Sequence, residues 1–195
     1  MIITLNEVKS ILRITDNTYD QEIQDLIPLI EEDLVCYLNN AFPDRNTRYS
    51  AGTIQFSSTG DSITITDTQS QFIVEGFSDT MDIYISGTKR NEGIAHLKSV
   101  AAGTMITDNC DQIITEKTTD EYGGNVITLT RIRWPRGLKI YVSKIIWYHI
   151  SKIKSSDVKS KSYGPASVTY ESIEGGQYPK DILAGLAKYK NVILI

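Results

Sequence analysis

The feature that most constrains this chain is a change of hydrophobic period, made twice. Apolar residues recur at helical spacing up to Leu38, alternate from Thr53 onward, and return to helical spacing at Leu138. A stripe that fits one side of a helix cannot fit one face of a pleated strand, so the middle of the chain must form its own layer. The expected fold is α+β. A helical core of about four helices plus a β-hairpin is assigned to residues 1–52 and 135–195, with a β-barrel or sandwich domain inserted over residues 53–134.

Local signals place the helices. Thr4-Leu5-Asn6-Glu7 fits a capping box, in which hydroxyl and carboxylate each satisfy a backbone donor at a helix start, and Leu5, Val8, Ile11 and Leu12 then form an apolar face. Thr18-Tyr19-Asp20-Gln21 offers a second box, followed by Ile23, Leu26, Ile27, Ile30, Leu34 and Leu38. Pro28 lies inside this helix, where a bend is expected because the period resumes in phase. Leu138, Val142, Ile145, Ile146, Ile150 and Ile153 define a third helix. Val158 to Tyr170 reads as a hairpin turning at Tyr163-Gly164-Pro165, and Tyr178-Pro179-Lys180-Asp181 opens a last short helix.

Between them, Ala41 to Gly52 reads as a linker broken by Pro43, Asp44, Asn46 and Gly52. Strands are expected around Ile54/Phe56, Ile63/Ile65, Phe72/Val74, Met81/Ile83/Ile85 and Ile127/Leu129, with turns at Thr59-Gly60-Asp61, Asn91-Glu92-Gly93 and Tyr122-Gly123-Gly124-Asn125.

Charge is segregated along the chain. Net charge is −4, yet residues 131 to 161 carry nine basic residues and one acidic one. A basic third helix beside the acidic second, within or between subunits, explains this better than a nucleic-acid surface on an acidic protein. Cys36 and Cys110 are expected to be packing residues, not a disulfide framework or zinc ribbon. The start lacks the pattern of a secretory signal and no segment is long and apolar enough to span a bilayer, so a soluble protein made in the cytoplasm is expected, without membrane partners.

Catalytic motifs are missing from the pattern. His96 and His149 are the only histidines, and each is read as structural. No Gly-rich phosphate loop, His-Glu-x-x-His run or Cys-x-x-Cys pair occurs. Glu31-Glu32-Asp33 point in different directions on a helix and read as a solvated face. Arg131, Arg133 and Arg136 around Trp134 read as a salt-bridge cluster at a domain junction. No enzyme activity, cofactor or metal is expected.

Ile3-Thr4-Leu5-Asn6-Glu7-Val8-Lys9 with Leu12-Arg13-Ile14, the helix Ile23 to Leu38, Ser162-Tyr163-Gly164 with Ser167-Val168, and Tyr178-Pro179 to Tyr189-Lys190 follow one another in a recognisable order. In these segments the chain resembles the head-to-tail connector, or adaptor, proteins of long-tailed double-stranded DNA phages. Phe72 to Phe77, Ile83 to Thr88 and Asn91 to Gly93 look like a small β module of several phage proteins, which compact connectors lack. The resemblance implies a structural virion protein of the neck, assembled in the host cytoplasm as a homo-oligomeric ring of twelve. Such a ring sits beneath the portal protein, receives a stopper or tail-completion protein, and lets DNA pass without specific binding.

Two surfaces are expected to carry assembly. Subunits would meet through Glu31 and Glu32, Lys144 and Lys152, and the hairpin turn Ser162, Tyr163, Gly164 and Pro165. Asn191, Val192, Ile193, Leu194 and Ile195 would dock on the portal as an added strand or plug, or pack on the chain's own helical layer. Two other functions stand beside this one: a stopper or tail-completion protein, and a β domain that binds sugar or a host surface, which exposed Phe77 or Tyr84 would favour.

Overall fold

The structure, a computed structural model, describes residues 1–59, 62–107, 114–117, 126–155, 160–163, 166–169 and 178–191. The chain divides into two compact units, one of Met1 with Ala41–Trp134 and one of Ile2–Asn40 with Pro135–Ile195.

The helical unit contains α1 (Leu5–Leu12), α2 (Asp20–Leu38), α3 (Leu138–Ser155) and α4 (Lys180–Leu186), with a 3₁₀ turn at Ala187–Tyr189. The expected capping box at Thr4 and Glu7 forms in full. The second box does not. α2 starts one residue later, with Tyr19 at the N-cap and no side-chain cap bond, because Asp16 already accepts the Thr18 N–H at 3.0 Å and holds that residue in a local turn. α2 runs unbroken through Pro28 and ends at Asn39 in the left-handed region, which asparagine tolerates. Val8, Ile23, Ile27, Ile30, Leu34, Leu38, Val142, Ile145, Ile146, Ile182 and Leu186 form its buried interior, whereas Ile11, expected inside, is exposed. The hairpin forms as β9 (Ser160–Tyr163) and β10 (Ala166–Thr169), with Ala166 opposite Tyr163.

The other unit is one antiparallel sheet of β1 (Pro43–Ala51), β2 (Ile54–Thr59), β3 (Ser62–Asp67), β4 (Asp82–Ser86), β5 (Gly93–Ala101), β6 (Thr104–Thr107), β7 (Glu116–Lys117) and β8 (Ile127–Ile132). Their order is β1-β8-β4-β5-β6-β3-β2-β7. Among the described residues the outer strands β1 and β7 do not pair, so the sheet does not close into the barrel that was one of the two expected forms. β5 changes partner midway: residues 93–96 pair with β4, and Leu97 onward pairs with β6 across a register shift between Leu97 and Ser99. Such a bulge bends a strand, so both halves of the sheet can face one core. That core includes Tyr49, Ile54, Phe56, Ile65, Phe72, Phe77, Ile83, Ile85, Leu97, Met105 and Leu129.

Two sequence expectations need correction here. Ala41–Gly52 is not a linker, since β1 occupies Pro43–Ala51 and pairs along β8. The β unit therefore begins near Ala41, not Thr53. Phe72 and Val74 do not mark a strand either. They lie in turns, with Phe72 buried and Val74 exposed, because the Phe77 N–H closes back on the Phe72 carbonyl at 3.1 Å.

Candidate functional site

The residues expected to make subunit contacts fall in different settings. Glu31 is buried inside the helical unit, where its carboxylate accepts the Ile2 N–H. This follows from the phase of α2, because Glu31 lies beside Ile27, Ile30 and Leu34 on the inward side. Glu32, one residue on, is exposed, as is Lys144 on α3. Lys152 belongs to α3, and Ser162 and Tyr163 to β9. Gly164 and Pro165 lie outside the described residues.

Of the expected docking tail, Asn191 is described and Val192, Ile193, Leu194 and Ile195 are not. Asn191 is exposed, but its N–H donates to the Leu38 carbonyl at 2.9 Å, and the Asn40 side-chain amide donates to the Tyr189 carbonyl at 3.2 Å. The root of the tail is thus tied to the C-terminal end of α2. α4 is held nearby. The Tyr178 hydroxyl donates to Asp33 Oδ2 at 2.9 Å, and burial, reinforced by that carboxylate, pushes the phenol pKa up. His149 meets the Tyr178 ring edge-on at 6.0 Å, and the Lys190 ammonium lies 4.4 Å from the centre of the Tyr37 ring. A lone histidine on α3 therefore belongs to packing around Tyr178.

Ion pairs brace the helices at the other end. Lys9 Nζ reaches both Asn17 Oδ1 and Asp20 Oδ1 at 2.7 Å, joining the last turn of α1 to the first turn of α2. Both ends obey the helix macrodipole. Lys139 pairs with Glu7, linking α1 to α3, and its hydrogen bond is the main reason the Glu7 carboxyl titrates below its usual range.

A polar cluster lies on the β unit, on the opposite side of its strands from the core. Register brings it together, since Asp82 of β4 stands opposite both His96 of β5 and Ile132 of β8. Asp82 Oδ1 is 2.6 Å from His96 Nδ1, Trp134 Nε1 donates to Oδ2 at 2.6 Å, and the Met1 ammonium pairs with the same carboxylate. Burial alone would raise the Asp82 pKa, but the hydrogen bond from His96, the ammonium and the imidazole charge together hold it below the ordinary range. The group neutralises a buried carboxylate, which is a structural task. His96 belongs to it.

Because the folded value is lowered, the stability this carboxylate adds is complete above the unfolded aspartate pKa of about 3.9 and is lost as pH falls through the folded value. Asp82→Asn is expected to cost about 1–3 kcal/mol at neutral pH, by leaving partners of a buried acceptor short of charge. Its melting temperature should also fall less steeply than the wild type's from about pH 5 to about pH 3. Thermal melts across that range check this, and parallel curves would refute it.

Placement bears on several other residues named from the sequence. Cys36 is exposed, not packed, and Cys110 lies outside the described residues. Arg131, Arg133 and Arg136 make no ion pair among the described residues, so the junction cluster does not form there. Phe77 is in the core and Tyr84 is half-buried, so these two do not form an exposed aromatic pair. Among the described residues no group of three or more His, Cys, Asp or Glu could hold a metal ion, and no helix is long and apolar enough to cross a membrane.

Residues 2–80 match the family model described as phage gp6-like head-tail connector protein. The match supports the phage connector family. It takes in α1, α2 and β1 to β3, so the matched segment begins in the helical unit and runs on into the sheet. The capping box at Thr4, the Lys9 to Asp20 brace and the long α2 all lie within it. The hairpin and α4, which also prompted the resemblance, lie beyond it. Connectors of this family are structural proteins of the phage particle, joining head to tail. Comparison with curated proteins gives no match.

Sequence reading overlooked the exposed apolar residues of the helices. Leu29, Ile140 and Trp147 are 60 %, 53 % and 44 % exposed. The signal was present, because each falls outside the inward phase of its helix.

Proposed function

We propose that the protein is a head-to-tail connector subunit that assembles as a ring of twelve beneath the portal and receives the stopper or tail-completion protein. DNA then slides through the channel without specific binding. The observation that carries this reading is the connector match over residues 2–80, which spans the two N-terminal helices. The helical unit suits repeated assembly, since its helices are braced by Lys9, Glu7 and Lys139 and offer fixed outer faces. An acidic chain also suits a channel through which a polyanion must move freely.

The tail is assigned to the portal. Asn191 leaves the end of α2 exposed, and the following Val192-Ile193-Leu194-Ile195 has the uncharged, β-branched composition of a segment added to a partner's sheet edge. Negative-stain microscopy of the protein mixed with its portal tests the reading, with rings capping the portal expected. Deleting residues 192–195 keeps the Asn191 bond to Leu38. This deletion is expected to abolish portal binding while shifting the melting temperature by no more than about 2 °C. A large fall in melting temperature with portal binding retained would assign the tail to its own helical layer instead.

A further inference from the structure

The exposed sides of α2 and α3 carry opposite signs around apolar centres. On α2, Asp25, Leu29 and Glu32 are exposed at spacings of four and three, which sets them in one row. On α3, Ile140, Lys144 and Trp147 repeat that spacing and are also exposed. Each row covers seven residue steps, about 10 Å along a helix axis. One row is an aliphatic side chain between two carboxylates. The other is an ammonium between two large apolar side chains. Neither Glu32 nor Lys144 forms an ion pair among the described residues, although α2 and α3 pack against each other through their inward sides.

We infer that the α2 row of one copy docks on the α3 row of the next, with Lys144 meeting Asp25 and Glu32 while Leu29 seats against Ile140 and Trp147. The occupant is a second copy of this chain because the chain itself carries both complementary halves. With the two rows of each copy engaging different neighbours, the contact is heterologous. It leaves one free row of each kind at the ends of any chain of copies, and it repeats until a ring closes. Charge complementarity fixes the pairing, and the apolar centres supply burial. This inference gives the ring of the proposed connector its subunit contact, and for its biological setting it rests on that reading.

Charge reversal tests it. The wild type is expected to self-associate in sedimentation velocity at low salt, and to do so less as salt screens the pairs. Asp25→Lys together with Glu32→Lys gives a copy basic on both rows, and Lys144→Glu a copy acidic on both. Each alone is expected to associate about tenfold more weakly or worse, since like charges then meet. Mixed in equal amounts they should assemble again, because every α2 row in an alternating array meets an α3 row of opposite sign. Asp25→Lys, Glu32→Lys and Lys144→Glu combined in one chain should also assemble alone. All three positions are exposed, and unchanged circular dichroism would verify that the variants fold. The inference is overturned if either one-row variant associates as the wild type does, or if the mixture stays dissociated. It is also overturned if the wild type remains monomeric at every concentration. Rings on the portal would in each of these cases leave the connector reading standing.

Discussion

Replacing Phe72 by alanine is expected to destabilise the β unit by about 3–5 kcal/mol, the range for removing a fully buried aromatic side chain. Phe72 is 0 % exposed and meets Tyr49 edge-on at 5.8 Å and Phe77 edge-on at 6.5 Å. Its position is fixed from both ends of the turn. Its N–H donates to the Ala102 carbonyl at 3.1 Å, and its carbonyl accepts the Phe77 N–H at the same distance. The loss is therefore twofold, combining a cavity among aromatic rings with a turn that no longer has an anchor. The same turn thrusts Ile73 and Val74 outward, at 56 % and 75 % exposure, and it can do so only while Phe72 points in. Denaturant unfolding followed by fluorescence in a Trp147→Phe background, which leaves Trp134 as the reporter, measures the effect. A loss under about 1 kcal/mol would show that the aromatic cluster does not organise this unit.

Gly87→Val is expected to cost about 3–5 kcal/mol, because two penalties add. Gly87 has φ of +82°, where a β-branched residue is strained, and a Cβ built there lies 2.5 Å from the Val126 carbonyl oxygen. That neighbour is backbone leading into β8 and cannot swing aside. Gly52 supplies the control, since its φ is ordinary and a Cβ there meets nothing within 4 Å. Gly52→Ala should change stability by less than about 0.5 kcal/mol. Chemical denaturation of both variants compares them directly, and equal losses would remove the close approach of β4 and β8 as the cause.

Much of the fold was legible because burial and period coincide in it. α1 to α4, the hairpin, and β2, β3, β4 and β8 each show the spacing their geometry requires. β1 was hidden by Pro43, Asp44 and Asn46, which are turn formers. The strand accommodates them in a register shift between Asp44 and Arg48, and alternation starts only at Thr47. β5 was hidden for another reason. A strand that changes partner at Leu97 does not keep one face buried throughout, so no simple alternation marks it. Closure of the sheet was not legible at all, since it depends on which edges pair and not on any strand's own pattern.

Candidate assembly residues were legible by charge and misread by phase. Glu31 and Glu32 are neighbours in sequence, yet one turns into the helical interior and the other to solvent. Leu29, Ile140 and Trp147 lie outside the inward stripe of their helices, so the helical period does not mark them. The buried Asp82 group needed register to be found, as its members come from β4, β5 and the end of β8, far apart in sequence.

The place where the β unit is entered and left has a further meaning for the chain around it. Pro43 stands opposite Ile132 in the ladder, the Arg133 N–H donates to the Phe42 carbonyl at 2.9 Å, and the Phe42 and Trp134 rings lie 5.6 Å apart. The point of departure and the point of return are thus neighbouring strands, separated by about 5 Å of hydrogen-bonded backbone. To the polypeptide that continues on either side, the span 41–134 is a connection one strand-spacing wide, its two ends already joined by their own ladder. Residues can be added to or removed from the far turns of this sheet without altering the gap between its two ends.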